Sequence, residues 1–214
     1  MNLELYVITD ESASCGKPHV EIARLALAGG ADAVQLRDKG CSCRELIRSG
    51  REIAGLARRR GAIFIVNDRL DVALSCGADG VHLGQGDLRA DTARQIAPEG
   101  FIIGVSVGSA REAEEAERAG ADYVAVSPVF ATGSKSDAGD GLGTGTVREV
   151  RQRVSIPVLA IGGISSANVE RTIAAGADGV AVISAVAGAE DITSAARELK
   201  SRIARQKARL ARKK

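Results

Sequence analysis

The chain has 214 residues, and its 29 Lys+Arg against 27 Asp+Glu leave a formal charge of only +2. A chain of this length buries about 70% of the surface its unfolded form exposes, so its core needs neither disulfides nor a structural metal. Five aromatic residues and no Trp argue against a platform for stacking bases, and so against a nucleic-acid partner.

The first ten residues have no basic region ahead of their short apolar run, unlike a secretory signal. No apolar stretch reaches the roughly 18 residues of a membrane span, and the expectation is a cytoplasmic protein without a membrane partner. Strand-like apolar runs follow in chain order at 5–8, 33–37, 63–66, 80–83, 102–105, 123–126, 158–161 and 180–183. Helical stretches separate them, for example 43–60, 110–119 and 167–175. Gly-Ala-Asp recurs at 30–32, 77–79, 120–122 and 176–178, each time with Val within two residues. Each triplet closes a helical stretch and opens an apolar run, as a glycine helix C-cap feeding a strand does. One further short strand lies between successive triplets, so each repeat holds two βα units and four repeats make eight. Such alternation implies a parallel sheet with right-handed crossovers. Eight units over residues 1–199 average about 25 residues each, which suits a single-domain α/β fold of the (β/α)8 TIM-barrel type. An open doubly wound sheet is the alternative. Polar residues and glycines after nearly every strand favour the barrel, because an open sheet concentrates its ligands at one switch point. Cys15, Cys41, Cys43 and Cys76 read as free thiols of a reducing compartment, since Cys41-x-Cys43 is tighter than a structural zinc pattern.

The residues after the strands carry the chemistry. In Val34-Gln35-Leu36-Arg37-Asp38-Lys39 the period of two turns Gln35, Arg37 and Lys39 to one face, so the second strand directs an amide and two cations into the barrel mouth. Asp68 follows the third strand and Asp87 the fourth. Few hard oxygen ligands beside cations are what Mg²⁺ bridging a diphosphate requires; a salt bridge from Asp68 to Arg69 or Arg37 is the structural alternative. Ser106 follows the fifth strand. Thr132, Ser134 and Lys135 after the sixth make a polyanion-binding loop without Walker A spacing, and the Gly-rich segment 137–145 could close over a substrate. Gly162-Gly163 after the seventh strand and Ser184 at the end of the eighth stand where barrels commonly bind phosphate on backbone N–H groups. His82, inside the fourth strand, reads as a hydrogen-bonded core residue and not as a catalyst. Two anion sites therefore converge on one mouth, one suited to a diphosphate and one to a monophosphate. The residues alone point to a transferase or lyase acting on phosphorylated small molecules, with diphosphate as leaving group.

The segments Leu5-Tyr6-Val7-Ile8-Thr9-Asp10, Gln35-Leu36-Arg37-Asp38-Lys39, Val66-Asn67-Asp68-Arg69, the run from Gly77 to Asp87, Pro128-Val129-Phe130 and Ala160-Ile161-Gly162-Gly163-Ile164 together closely resemble thiamine-phosphate synthase. The resemblance extends to about residue 200. It implies coupling of 4-amino-2-methyl-5-(diphosphooxymethyl)pyrimidine with a thiazole phosphate to give thiamine phosphate and diphosphate, by a dissociative substitution assisted by Mg²⁺. It further implies that Gln35, Arg37, Lys39, Asn67, Ser106 and Lys135 hold the pyrimidine diphosphate and that Asp68 and Asp87 bind Mg²⁺. Thr132, Ser134, Gly163, Ile183 and Ser184 would hold the thiazole phosphate, with Arg37, Lys39 and Lys135 acting on the leaving group. The chain departs from the commonest pattern at Ser134, where Thr is usual, at Ser127, where Gly is usual, and in its Gly-rich 137–145 segment. A related thiazole tautomerase uses a histidine two residues beyond the serine of the fifth strand, where this chain has Gly108. A non-catalytic phosphate-sensing barrel would have little reason to keep both carboxylates beside three cations.

Residues 200–214 hold eight cations and no acid, which leaves 21 basic against 27 acidic residues, a net −6, for positions 1–199. The near-neutral total is thus the sum of an acidic barrel and a basic tail, which is expected to extend the last helix and then to fray. The sequence is compatible with a homo-oligomer.

Overall fold

The computed structural model describes residues 1–132 and 141–212. Eight strands alternate with helices: β1 (Leu5–Ile8), α1 (His19–Ala28), β2 (Ala33–Leu36), α2 (Cys43–Arg60), β3 (Ile63–Asn67), α3 (Leu70–Cys76), β4 (Gly80–Leu83), α4 (Ala90–Ile96), β5 (Ile102–Val107), α5 (Ala110–Arg118), β6 (Tyr123–Val126), α6 (Gly143–Arg153), β7 (Val158–Ile161), α7 (Val169–Ala174), β8 (Gly179–Val182), α8 (Ser184–Ala187) and α9 (Ile192–Ala211). The strands are all parallel and close into a barrel in sequence order, β8 pairing with β1. This is the (β/α)8 architecture, and the open sheet is excluded.

The period of two sorts the strand residues into two shells. Leu5, Val7, Val34, Leu36, Phe64, Val66 and their counterparts pack outward against the helices. Tyr6, Ile8, Ala33, Ile65, Tyr123, Ala125, Leu159, Ile161 and Ala181 fill the barrel. Tyr123 fits into so narrow an interior because a glycine faces it: a Cβ on Gly104 would fall on the Tyr123 ring. Polar residues inside the barrel, among them Gln35 and His82, belong to this inner row.

The repeated aspartates have one structural task. Asp32, Asp79, Asp122 and Asp178 accept the backbone N–H groups of Leu5, Phe64, Ile103 and Val158, at 2.8, 2.8, 2.7 and 2.8 Å. The aspartate ahead of each even-numbered strand therefore pins the start of the odd-numbered strand before it. Lys200, Arg94 and Arg151 neutralise three of the four, the contacts to Asp32, Asp122 and Asp178 being 2.6, 2.5 and 2.7 Å.

Of the element boundaries that differ from the sequence expectation, three do so for identifiable local reasons. β5 runs on to Val107, whose carbonyl accepts the Ser127 N–H at 3.0 Å. β8 stops at Val182 because the Ile183 carbonyl already accepts from Val186 and Ala187 and so opens α8. The Gly-rich segment drawn to residue 145 ends sooner, since Leu142 and Gly143 donate to the Pro128 and Val129 carbonyls and α6 begins at Gly143.

The basic tail does not fray over its described part. α9 runs unbroken through the boundary drawn at residue 199, with Ile203 fully buried. Lys200 and Lys207 reach Glu4 at 2.7 and 3.0 Å, so acids at the start of the chain hold this helix against the barrel. Lys213 and Lys214 lie outside the described residues.

Candidate active site

The C-terminal ends of the strands open into two cavities that meet. The larger, about 450 Å³, is lined by Arg37 and Lys39 after β2, Asn67 and Asp68 at the end of β3, Gly84 to Asp87 after β4, and Ser106 on β5. The smaller, about 230 Å³, is lined by Thr132, by Gly162 and Gly163 after β7, and by Ile183 and Ser184 where β8 passes into α8. Ser127 and Pro128, joined by a cis peptide, line both.

Most of the residues singled out in the sequence thus fall on one rim, divided between the two cavities as their chemistry suggested. Gln35 does not line either of these two cavities. Its face was read correctly but its depth was not: its carbonyl is still a rung of the sheet, accepting from Thr9 N–H at 2.9 Å. Its side chain stays one layer beneath the mouth, where Nε2 donates to Tyr6 Oη at 2.7 Å. Ser134 and Lys135, with the start of the Gly-rich segment, lie outside the described residues.

The larger cavity sets cations against carboxylates. Arg37 Nη1 stands 3.5 Å from Asp10 Oδ2, both side chains being largely buried. At Asp10 the upward push of burial is outweighed by bonds from Ser12 and Ala13 and by Arg37, so its carboxyl titrates below the usual range. Asp68 goes the other way. Burial first and the neighbouring Asp87 carboxyl second push it up to about 6, against the pull of Lys39 and Arg37. The ion pair considered for Asp68 is absent among the described residues: Arg69 is engaged by Asp71 at 2.8 and 2.5 Å, and Arg37 by Asp10. Asp68 adopts a left-handed backbone, φ 62°, that Asp tolerates better than most residues. Its N–H donates to the His82 carbonyl at 2.8 Å, tying the end of β3 to β4. Asp87 is fixed by a tight turn in which Gly84 N–H donates to its Oδ2 at 2.7 Å. A Cβ on Gly84 would crowd that same oxygen at 2.9 Å.

The smaller cavity is built from backbone, hydroxyls and aliphatic side chains. Gly162 and Gly163 have φ of 100° and 61°, and a Cβ on them would stand 2.6 Å from Pro128 Cβ and 2.5 Å from the Ala131 carbonyl oxygen. The close approach that the glycine pair was expected to offer an anion is therefore used first by the loop 128–131. Val129 and Phe130 donate to the Ile161 and Gly162 carbonyls at 2.8 and 3.0 Å, and the Arg171 guanidinium covers the Phe130 ring at 4.5 Å.

Four polar residues of the larger cavity were not assigned to it from the sequence: His82, Gln85, Glu112 and Ser127. Gln85 Nε2 donates to the Ser106 carbonyl at 2.6 Å, and Glu112 Oε2 accepts from Gly108 N–H at 2.7 Å. The signal for Glu112 was present, because Ser109-x-x-Glu112 is a capping-box spacing and Ser109 Oγ does accept the Glu112 N–H at 3.2 Å. At position 108, where the tautomerase alternative needs an imidazole, there is only backbone. No described helix is long and apolar enough to cross a membrane.

Comparison with known proteins agrees with this geometry. A family model described as thiamine monophosphate synthase matches residues 5–186. The thiamine-phosphate synthase of Methanoregula boonei is 64% identical over 203 residues, covering 95% of this chain and 94% of that protein. That of Methanoculleus marisnigri is 58% identical over 208 residues, covering 97% and 99%. Among solved structures, thiamine phosphate pyrophosphorylase from Pyrococcus furiosus superposes with a TM-score of 0.89 at 46% identity, over 95% of this chain and 96% of that one. Such identity over nearly full length exceeds what a shared barrel alone produces, and the chain belongs to the thiamine-phosphate synthase family.

Proposed function

We propose that the two joined cavities hold the two substrates of thiamine-phosphate synthesis, the pyrimidine diphosphate in the larger and the thiazole phosphate in the smaller. The observation that carries this reading is the shared wall at Ser127 and Pro128. It sets a cavity of cations and carboxylates directly beside one of glycines and hydroxyls, as two anions that must react with each other require.

In this reading Arg37, Lys39 and Lys135 hold the diphosphate, Asn67 and Ser106 orient the pyrimidine, and Gln35 supports them from beneath. Thr132, Ser134, Gly163, Ile183 and Ser184 hold the thiazole phosphate. Asp68 and Asp87 fit a hard divalent cation such as Mg²⁺: they are two oxygen ligands in mutual repulsion, and the described residues offer no cluster of three or more His, Cys, Asp or Glu. Mg²⁺ keeps several waters and takes one or two carboxylates plus substrate phosphate. When bound, it neutralises charge on the leaving diphosphate. The pyrimidine C–O bond breaks with its electron pair going to the diphosphate oxygen, and the lone pair of the thiazole nitrogen makes the new C–N bond. That nitrogen carries no proton, so the site needs no general base. The work of Arg37, Lys39 and Lys135 is to stabilise the charge that grows on the departing group, commonly the largest single contribution to such a rate. Thiols left unpaired support a cytoplasmic setting.

The test is turnover. Purified protein with both substrates and Mg²⁺ should form thiamine phosphate and diphosphate one for one; no product at saturating substrate refutes the reading. Lys135→Ala should lower kcat far more than it weakens thiazole phosphate binding, and the converse would move Lys135 to the other cavity.

A further inference from the structure

Beneath the larger cavity a hydrogen-bonded chain crosses the barrel through five strands. Gln35 Nε2 donates to Tyr6 Oη at 2.7 Å, Tyr6 Oη meets Tyr123 Oη at 3.2 Å, Tyr123 Oη meets His82 Nδ1 at 2.9 Å, and His82 Nε2 meets Ser106 Oγ at 2.9 Å. The imidazole also stacks on the Tyr123 ring, with centroids 5.6 Å apart and planes at 25°. Gln35, Tyr6, Tyr123 and His82 are all buried. Ser106 and His82 line the open cavity, so the chain has one end in the protein and one in the site.

The chain has a direction. Burial raises the titration of both phenols well above its ordinary range, so each stays protonated and supplies one hydrogen. Because Tyr6 accepts from Gln35, its own hydrogen turns to Tyr123, and the Tyr123 hydrogen turns to His82 Nδ1. The imidazole proton then resides on Nε2 and is donated to Ser106 Oγ. The serine hydrogen is left to point into the cavity.

We propose that His82 is a positioning residue that, through Nε2–H, holds Ser106 Oγ so that the serine hydroxyl is presented to the pyrimidine diphosphate as a donor, with Gln35, Tyr6 and Tyr123 fixing the imidazole tautomer that does this. The proposal rests on the reading of Ser106 as a pyrimidine-diphosphate contact. It assigns to that contact a ligand acceptor atom, either a ring nitrogen or a diphosphate oxygen. It also gives the two polar aromatics and the histidine of the barrel interior a shared purpose, where aliphatic side chains would fill the space without needing partners.

Two experiments test it. In the unmodified protein, long-range ¹H–¹⁵N correlation of the His82 ring should show Nδ1 unprotonated and Nε2 protonated; the opposite tautomer overturns the proposal whether or not the enzyme turns over. In steady-state kinetics, His82→Asn removes the Nε2 donor and should lower kcat/KM for the pyrimidine diphosphate by about tenfold, the scale of one lost hydrogen bond. The KM for thiazole phosphate should stay within about twofold. His82→Gln, whose amide nitrogen reaches the same place, should restore kcat/KM to within about threefold of the unmodified enzyme. In a Ser106→Ala background His82→Asn should have little further effect, because it acts through the serine. Additive losses in the double variant, or equal losses for both substrates, overturn the proposal. Absence of turnover by the unmodified protein would instead refute the assigned function and leave the tautomer result standing.

Discussion

Lys200 makes the clearest quantitative claim about the fold. Its ammonium sits 2.7 Å from a Glu4 oxygen and 2.8 and 2.6 Å from the two oxygens of Asp32, joining the last helix to the starts of β1 and β2. Lys200→Met keeps the aliphatic stem and deletes the charge, leaving two carboxylates that shared a cation. A hydrogen bond to a charged group contributes roughly 1.5–3 kcal/mol when well buried. The three contacts share one ammonium and the group is about a quarter exposed (26% for Lys200), so screening reduces the total to about 2 kcal/mol. For a chain of this size that lowers Tm by about 4–8 °C, measurable by calorimetry at pH 7 and low salt. The pH dependence has a definite sign. At Glu4 the upward push of burial is overcome by the Lys200 and Lys207 bonds, which hold its carboxyl below 4.5. Its contribution is therefore complete above that value and fades as pH falls through the lower folded pKa, so the gap between parent and variant should narrow in acid. A Tm change under about 1 °C at pH 7, or a gap that widens in acid, would refute the reasoning. Turnover at permissive temperature should not change, because the bridge lies at the barrel end opposite the cavities.

Other changes have equally defined outcomes. Gly104→Ala drives a methyl into the Tyr123 ring and should destabilise the fold by about 1–3 kcal/mol; an unchanged urea midpoint would mean that the ring moves freely. Gly163→Ala meets both a positive φ and the Ala131 carbonyl, and should raise KM for thiazole phosphate by about tenfold or more while sparing that of the pyrimidine diphosphate. An equal rise for both would detach Gly163 from the smaller cavity. Asp87→Asn should raise the half-saturating Mg²⁺ concentration by about tenfold, and an unmoved Mg²⁺ titration would remove Asp87 from the metal.

The scaffold was legible because its determinants are periodic. Strand positions follow from alternation and from the four Gly-Ala-Asp triplets, whose aspartates do the same job each time. Depth was not legible: a period of two gives Gln35 and Arg37 the same face but does not say which rung is the last, and only Arg37 lies beyond it. The wall at Ser127 and Pro128 was missed because neither residue carries charge or falls in a repeat. The tail extends the last helix as expected, but what anchors it was not legible, for a different reason. Its partners Glu4 and Asp32 lie 196 and 168 residues away in the chain, and a run of cations read locally shows no acid to hold it.

The aspartate ladder bears on how such a barrel can be recombined. Each of its four bonds is closed inside one pair of consecutive strands, β1 with β2, β3 with β4, β5 with β6 and β7 with β8, so no bond of the ladder crosses from one quarter of the barrel to the next. Chimaeras cut ahead of an odd-numbered strand would inherit every pin intact, whereas cuts ahead of an even-numbered strand would separate an aspartate from the N–H it holds. The neutralising cations do cross between quarters: Arg94 of the second binds Asp122 of the third, Arg151 of the third binds Asp178 of the fourth, and Lys200 of the final helix binds Asp32 of the first, so each of these pairs should be exchanged together.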